Sequence, residues 1–210
     1  MSGDLARKKI FPALYSMVKK GILDVPVIGV ASSQWTVADL RKRAADSIDQ
    51  YGGGVDDGDA FERLTGLLRY IDGDYRADET YTKLRQELGD ASCPIHYLAI
   101  PPSMFPVVIE GLGRSGCAEN GRVIVEKPFG RDLASAQELN RVLHGIFPEE
   151  RIFRIDHYLG KEAVEDLLVF RLSNMLLEPV WNRNYVRSVQ VTMAESIGVE
   201  GRGSFYEEVG

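Results

Sequence analysis

Short, almost wholly apolar runs alternate along this chain with longer stretches of helical period, and that alternation leaves few architectures open. Residues 25–31, 95–100, 123–125 and 152–153 are the apolar runs, with Tyr70 and Ile71 as a further short candidate strand. Between them, residues 4–20, 36–50, 60–68, 78–88, 104–112, 133–143 and 162–170 read as helices. In the first of these, Leu5, Ile10, Phe11, Leu14, Met17 and Val18 share one face. Asp4 is expected to cap it and Gly21 to end it, with Lys19 and Lys20 suiting its C-terminal dipole and Pro12 marking a kink or its proper start. Strands that are apolar throughout, instead of at every second residue, are buried on both faces. The expected fold class is therefore α/β, a parallel sheet covered by helices on each side.

After Phe170 the pattern changes. Residues 186–195 alternate with period two, as a half-exposed antiparallel strand does. The expected division is a first domain over 1–174 and, over 175–210, the beginning of an α+β domain with a largely antiparallel sheet. Gly111, Gly113 and Gly116 satisfy the G-x-G-x-x-G pattern of dinucleotide-binding turns. They follow a helix instead of a strand and open no helix, so a helix end and turn is expected there.

Composition narrows the function classes. A net charge of −6 without any basic block argues against a nucleic-acid partner. Cys93 and Cys117 lack CxxC spacing, and His96, His144 and His157 are too dispersed for a helical metal motif, so neither a disulfide framework nor a metal is expected. His96 fits a core or strand-edge position, and His144 fits a helix end, where its cation compensates the dipole. No apolar run approaches the ~20 residues of a membrane span. The first residues carry no leader pattern before a lysine-rich amphipathic segment. A cytoplasmic protein without a membrane partner is expected.

The densest chemistry lies in residues 154–162, Arg-Ile-Asp-His-Tyr-Leu-Gly-Lys-Glu, between a candidate strand and a candidate helix. Ligands of open α/β sheets gather at that kind of junction. Asp156 can fix a histidine tautomer or stabilise its cation, Tyr158 can donate a hydrogen bond, and Lys161 can meet an anion together with backbone N–H groups at the helix start. Taken singly, these residues also suit a helix cap, a core histidine and a surface lysine. Packed together, they favour a site. At other strand ends stand Lys127, in Glu-Lys-Pro-Phe-Gly, and Gly73-Asp74, which is placed to line the adenine side of a nucleotide. Ser2, Gly3, Asp4, Leu5 and Lys9 resemble the tail of a nucleotide-binding turn, with a glycine at a helix start and cations a turn or two in.

Residues 154–162 resemble the signature of the glucose-6-phosphate dehydrogenase family, and residues 2–9, 123–130 and 181–210 continue that likeness. The resemblance implies a Rossmann-type domain that lacks its first strand here. It implies that His157, Tyr158 and Lys161 grip the phosphate of glucose 6-phosphate, and that Asp156 orients a catalytic histidine. It also places Lys127 near both cofactor and substrate, makes Glu195 a substrate-binding carboxylate, and has Ser2, Gly3, Asp4, Leu5 and Lys9 close a glycine-rich cofactor loop.

The implied reaction is hydride transfer from C1 of glucose 6-phosphate to NADP, giving 6-phosphogluconolactone, in the oxidative pentose phosphate pathway. Its general base is a histidine expected beyond Gly210. The chain therefore reads as an excerpt of a homo-oligomeric enzyme, silent by itself. One position departs from the family: where a Gly-x-x-Arg pattern would place a 2′-phosphate-selective arginine, this chain has Gly29-Val-Ala-Ser32. NADP is thus implied by resemblance alone, NAD stays open, and Arg41 and Arg43 lie on the next helix. Two other readings compete. One is a dehydrogenase acting on an unphosphorylated sugar, which Lys161 and His157 oppose. The other is a non-catalytic module that binds a sugar phosphate or nucleotide.

Overall fold

The computed structural model describes residues 2–156 and 158–192. The chain divides into two compact units, Met1–Phe153 and Arg154–Gly210.

The first helix begins at Asp4, so Asp4 lies inside the first turn and does not cap it. It pairs instead with Lys8 (2.8 Å), and the Gly3 carbonyl accepts from the Arg7 amide (3.2 Å). Ala6–Ile10 winds as a π-helix before α1, Phe11–Lys19. The Phe11 amide donates to the Ala6 carbonyl, five residues back. Pro12 follows at once and has no N–H to offer the preceding turn, so the wider winding comes where the α ladder is already one donor short.

Strand β1 (Val27–Ala31) starts only after Pro26, and β2 (Leu68–Asp72) pairs with it in parallel, with Val27 opposite Leu68 and Ala31 opposite Asp72. Helices α2 (Val37–Tyr51) and α3 (Gly58–Leu67) form the crossover. Thr36 and Asp39 cap α2 reciprocally, the hydroxyl accepting from the Asp39 amide while the carboxylate accepts from Thr36. Leu68, expected in the helix, is strand instead, because pairing with Val27 outweighs its helical propensity.

Helix α4 spans Asp78–Leu88 and leads to β3 (Ile95–Leu98). Next come α5 (Phe105–Arg114), β4 (Arg122–Glu126), α6 (Leu133–His144) and β5 (Ile152–Ile155). β3 runs parallel to β4, and the strand order is β3-β4-β5. The parallel, helix-covered architecture is α/β and Rossmann-like. Its ladder is nevertheless in two pieces, since β1 bonds only to β2 and no described strand links them to β3.

Two apolar clusters hold this unit together. Phe11, Leu40, Ile48, Leu64 and Leu68 join α1, α2 and α3 to one face of the first sheet. Ile71, Leu98, Ile109, Val125, Leu143 and Phe147 join both sheets to α4, α5 and α6. Each fully buried side chain of this size contributes about 1.5–3 kcal/mol. β3 departs from the two-faced burial expected of it: His96 and Leu98 are buried, whereas Ile95 and Tyr97 on the opposite face are exposed.

The G-x-G-x-x-G pattern falls at the end of α5, and packing explains its first two glycines. A Cβ on Gly111 would collide with the Tyr81 ring, and one on Gly113 with the Ile146 side chain. Burial pushes the Tyr81 phenol up to about 12, and its hydroxyl donates to the Tyr75 carbonyl (2.6 Å).

In the second unit, α7 (Glu162–Leu172) follows a turn at Asp156. The strand expected over 186–195 is absent from described residues 186–192. A strand exists only through the neighbour it bonds to, and the described residues between 156 and 192 contain none.

Candidate functional site

The carboxyl ends of β2 and β4 carry three of the expected groups. Beyond β2, the Gly73 amide donates to the Ala31 carbonyl (3.1 Å), which extends the ladder by one bond. A Cβ at Gly73 would run into Thr80, so this close approach of chain to helix requires glycine. Asp74 closes a local turn into α4. Its carboxylate accepts from the Arg76 amide (2.9 Å), and its carbonyl accepts from the Thr80 hydroxyl (2.7 Å). Lys127 is exposed at the end of β4, and the Lys127–Pro128 peptide is cis.

At the start of the chain, Ser2 and Leu5 are half-buried, while Gly3, Asp4 and Lys9 are exposed. The Ser2 carbonyl accepts from Arg43 Nη2 (3.4 Å), which ties this turn to α2. The Arg43 guanidinium lies over the Trp35 ring, 5.9 Å from its centroid. Trp35 in turn packs against Tyr70 with ring centroids 6.3 Å apart.

The second unit holds Asp156, Tyr158 and Lys161 within one tight segment. Asp156 Oδ1 accepts from the Tyr158 amide (3.0 Å), and its carbonyl accepts from the Leu159 amide (3.0 Å). The Tyr158 carbonyl accepts from the Lys161 amide (3.3 Å). Lys161 is the N-cap residue of α7, and its ammonium stands 4.4 Å from the centroid of the Tyr158 ring. That distance is within cation–π range, worth about 0.5–1 kcal/mol at an exposed site. A cation, a phenol and a helix N-terminus thus share one turn, an arrangement suited to an anion. His157 and Glu195 lie outside the described residues.

The chain matches the family model "Glucose-6-phosphate dehydrogenase, NAD binding domain" over residues 1–166, and the corresponding C-terminal domain model over 168–210. This chain belongs to the glucose-6-phosphate dehydrogenase family. It is 44% identical over 210 residues to glucose-6-phosphate 1-dehydrogenase 1 of Mycobacterium tuberculosis, and 42% identical over 222 residues to the Saccharomyces cerevisiae enzyme. The whole chain aligns in each case, yet it spans only 45% and 44% of those relatives. The crystal structure of the Mycobacterium avium enzyme superimposes with a TM-score of 0.89 at 42% identity, covering 100% of this chain and 46% of that one. A glucose-6-phosphate dehydrogenase solved in complex with glucose 6-phosphate gives 0.87 at 40% identity, with the same coverage.

Within this family member, two arrangements went unread in the sequence. The Tyr97 hydroxyl donates to Glu126 Oε1 across the β3–β4 pair, so the residue before Lys127 is anchored from the neighbouring strand. Burial and that bond to a carboxylate push the Tyr97 phenol well above its ordinary pKa. The other is the stack of Arg43 on Trp35. Register pairs Tyr97 with Ile124, and Glu126 follows two residues later on the same face, so the first contact was open to prediction once the strands were aligned. The two remaining histidines occupy structural positions. His96 is buried with Nε2 at 2.9 Å from the Cys117 carbonyl, and His144 at the end of α6 faces Glu149 (3.2 Å).

Proposed function

We propose that the full-length protein is an NADP-dependent glucose-6-phosphate dehydrogenase that oxidises glucose 6-phosphate at C1 to 6-phosphogluconolactone. The observation that carries the reading is the turn of Asp156, Tyr158 and Lys161, with the Lys161 ammonium over the Tyr158 ring, inside the residues that resemble the family signature. In this reading Tyr158, Lys161 and His157 hold the sugar phosphate, Glu195 accepts from sugar hydroxyls, and Lys127 lies near both sugar and cofactor. When bound, the nicotinamide would supply the hydride acceptor for the C1 hydrogen, and the C1 hydroxyl proton would go to a histidine base. Asp156 orients that base. Because the base is expected beyond Gly210, residues 1–210 alone are expected to be silent.

Ser2, Gly3, Asp4, Leu5 and Lys9 on one side, and Gly73 with Asp74 on the other, form the cofactor side. The half-buried Arg43 guanidinium beside Ser2 suits an anionic cofactor there. We place the start of the second domain near Asn174, whose side chain donates to the Phe170 carbonyl (2.6 Å) just past the end of α7. A cytoplasmic homo-oligomer completes the reading.

Lys161→Ala in the full-length enzyme tests it. Removing a charged partner of the phosphate is expected to raise KM for glucose 6-phosphate about 50-fold. KM for the cofactor should move less than about threefold, since a phosphate anchor leaves nicotinamide binding alone. A variant that kept its affinity for the phosphorylated sugar would favour a dehydrogenase of unphosphorylated sugars. A wild-type protein that bound glucose 6-phosphate without turnover would favour the non-catalytic module.

A further inference from the structure

The end of β1 is where an α/β dinucleotide site distinguishes a 2′-hydroxyl from a 2′-phosphate on the adenosine ribose. A carboxylate there accepts from the hydroxyl, and an arginine nearby accommodates the phosphate. This chain has neither at that position: Ala31 is followed by Ser32 and Ser33. Two arginines on α2 remain as sources of a cation, and the structure separates them. Arg41 Nε donates to the Thr65 carbonyl (3.0 Å), which commits that side chain to the end of α3. Arg43 turns the other way, toward the Ser2 carbonyl and the Trp35 ring in the loop after β1.

Arg43 is also incompletely satisfied. Its Nε is buried without a hydrogen-bond acceptor, its bond to Ser2 is long at 3.4 Å, and no carboxylate among the described residues pairs with it. A buried charged donor left in that state is costly and calls for a partner. The planar fork of a guanidinium suits the oxygens of a phosphate. Trp35, packed against Tyr70 at 6.3 Å, backs the fork and keeps it beside the N-terminal turn.

We infer that Arg43 supplies the cation that reads the 2′-phosphate of NADP, a duty that neither Ser32 nor Arg41 performs. The inference rests on the dehydrogenase reading above and adds the residue that sets cofactor choice. The terminal nitrogens of Arg43 are the donors to the phosphate oxygens, and the Ser2 carbonyl holds Nη2 in place.

The test is calorimetric titration of the full-length protein with NADP and with NAD, comparing wild type, Arg43→Ala and Arg43→Lys. The NADP-to-NAD affinity ratio is expected to fall about 50-fold in Arg43→Ala. In Arg43→Lys it should fall about fivefold, because a lysine keeps the charge and loses the fork. Titration with 2′,5′-ADP and 5′-AMP should show the same loss, which assigns it to the 2′-phosphate and not to the pyrophosphate. If both cofactors weaken in parallel, Arg43 merely supports the fold and the inference falls. It falls equally if the ratio is unmoved. Glucose 6-phosphate oxidation by the wild type, measured separately, decides the underlying reading: an active wild type with an unmoved ratio rejects Arg43 alone, and an inactive one rejects the dehydrogenase.

Discussion

The two units solve the same problem of apolar burial in opposite ways. In residues 2–153, the apolar faces of α1 to α6 disappear into two clusters, and Phe11, Leu40, Ile48, Leu64 and Ile109 are fully buried. In residues 154–192, α7 carries Leu167, Leu168, Phe170 and Leu172 with each side chain at least half exposed. Those apolar residues are mixed around α7 with Glu162, Glu165, Asp166 and Arg171 and are not gathered on one buried face. The first unit therefore supplies its own stability, whereas residues 154–192 do not supply the packing that α7 needs. The signature turn before α7 is held by bonds spanning two or three residues, so its shape owes little to either arrangement.

Paired truncations sharpen that contrast most. Phe147→Ala removes a buried ring from the larger cluster and is expected to cost the 210-residue chain about 3–5 kcal/mol. Leu168→Ala on α7 should cost no more than about 0.5 kcal/mol in the same chain. Urea melts of the two variants check the difference, and equal losses would erase the distinction between the units. Stability should also carry a pH signature belonging to the first unit. Burial holds the His96 imidazole below its ordinary pKa, so the folded chain binds fewer protons than the unfolded one in that window. Stability is full above about pH 6.5 and falls as pH drops toward the lowered folded value, below which the loss levels off. His96→Gln, which keeps a donor for Cys117, should flatten the slope in melts taken between pH 7 and 5, a range set by about 6.5 for free histidine. Within the first unit a smaller effect than the core truncation is expected at the α2 cap, where Thr36→Ala should cost about 1 kcal/mol, read from the same melts.

Much of the first unit was legible in the sequence because its signals are local. The helix read at residues 78–88 coincides with α4, and Thr36 stands where α2 begins, since capping and period are written within a few residues. What escaped depended on distant neighbours. Leu68 became strand because Val27 lies beside it, and residues 186–192 have no strand partner among the described residues. The same divide runs through the candidate site. Asp156, Tyr158 and Lys161 could be read as one turn because they are one. The stack of Trp35 under Arg43 needed two further facts, the path of the loop after β1 and the direction in which α2 turns its arginines.

The π-helix at Ala6–Ile10 acts as a phase shifter. Residues in an α-helix are offset by about 100° around the axis, so one residue taken up by the wider turn rotates everything before it by about that angle relative to α1. Ser2, Gly3 and Asp4 therefore face a direction chosen by Pro12, eight or more positions later. Deleting a single residue between Ala6 and Ile10 would leave the core positions Phe11, Tyr15 and Val18 in register, yet swing the opening turn away from Arg43. The azimuth of the opening turn is thus a matter of counting residues.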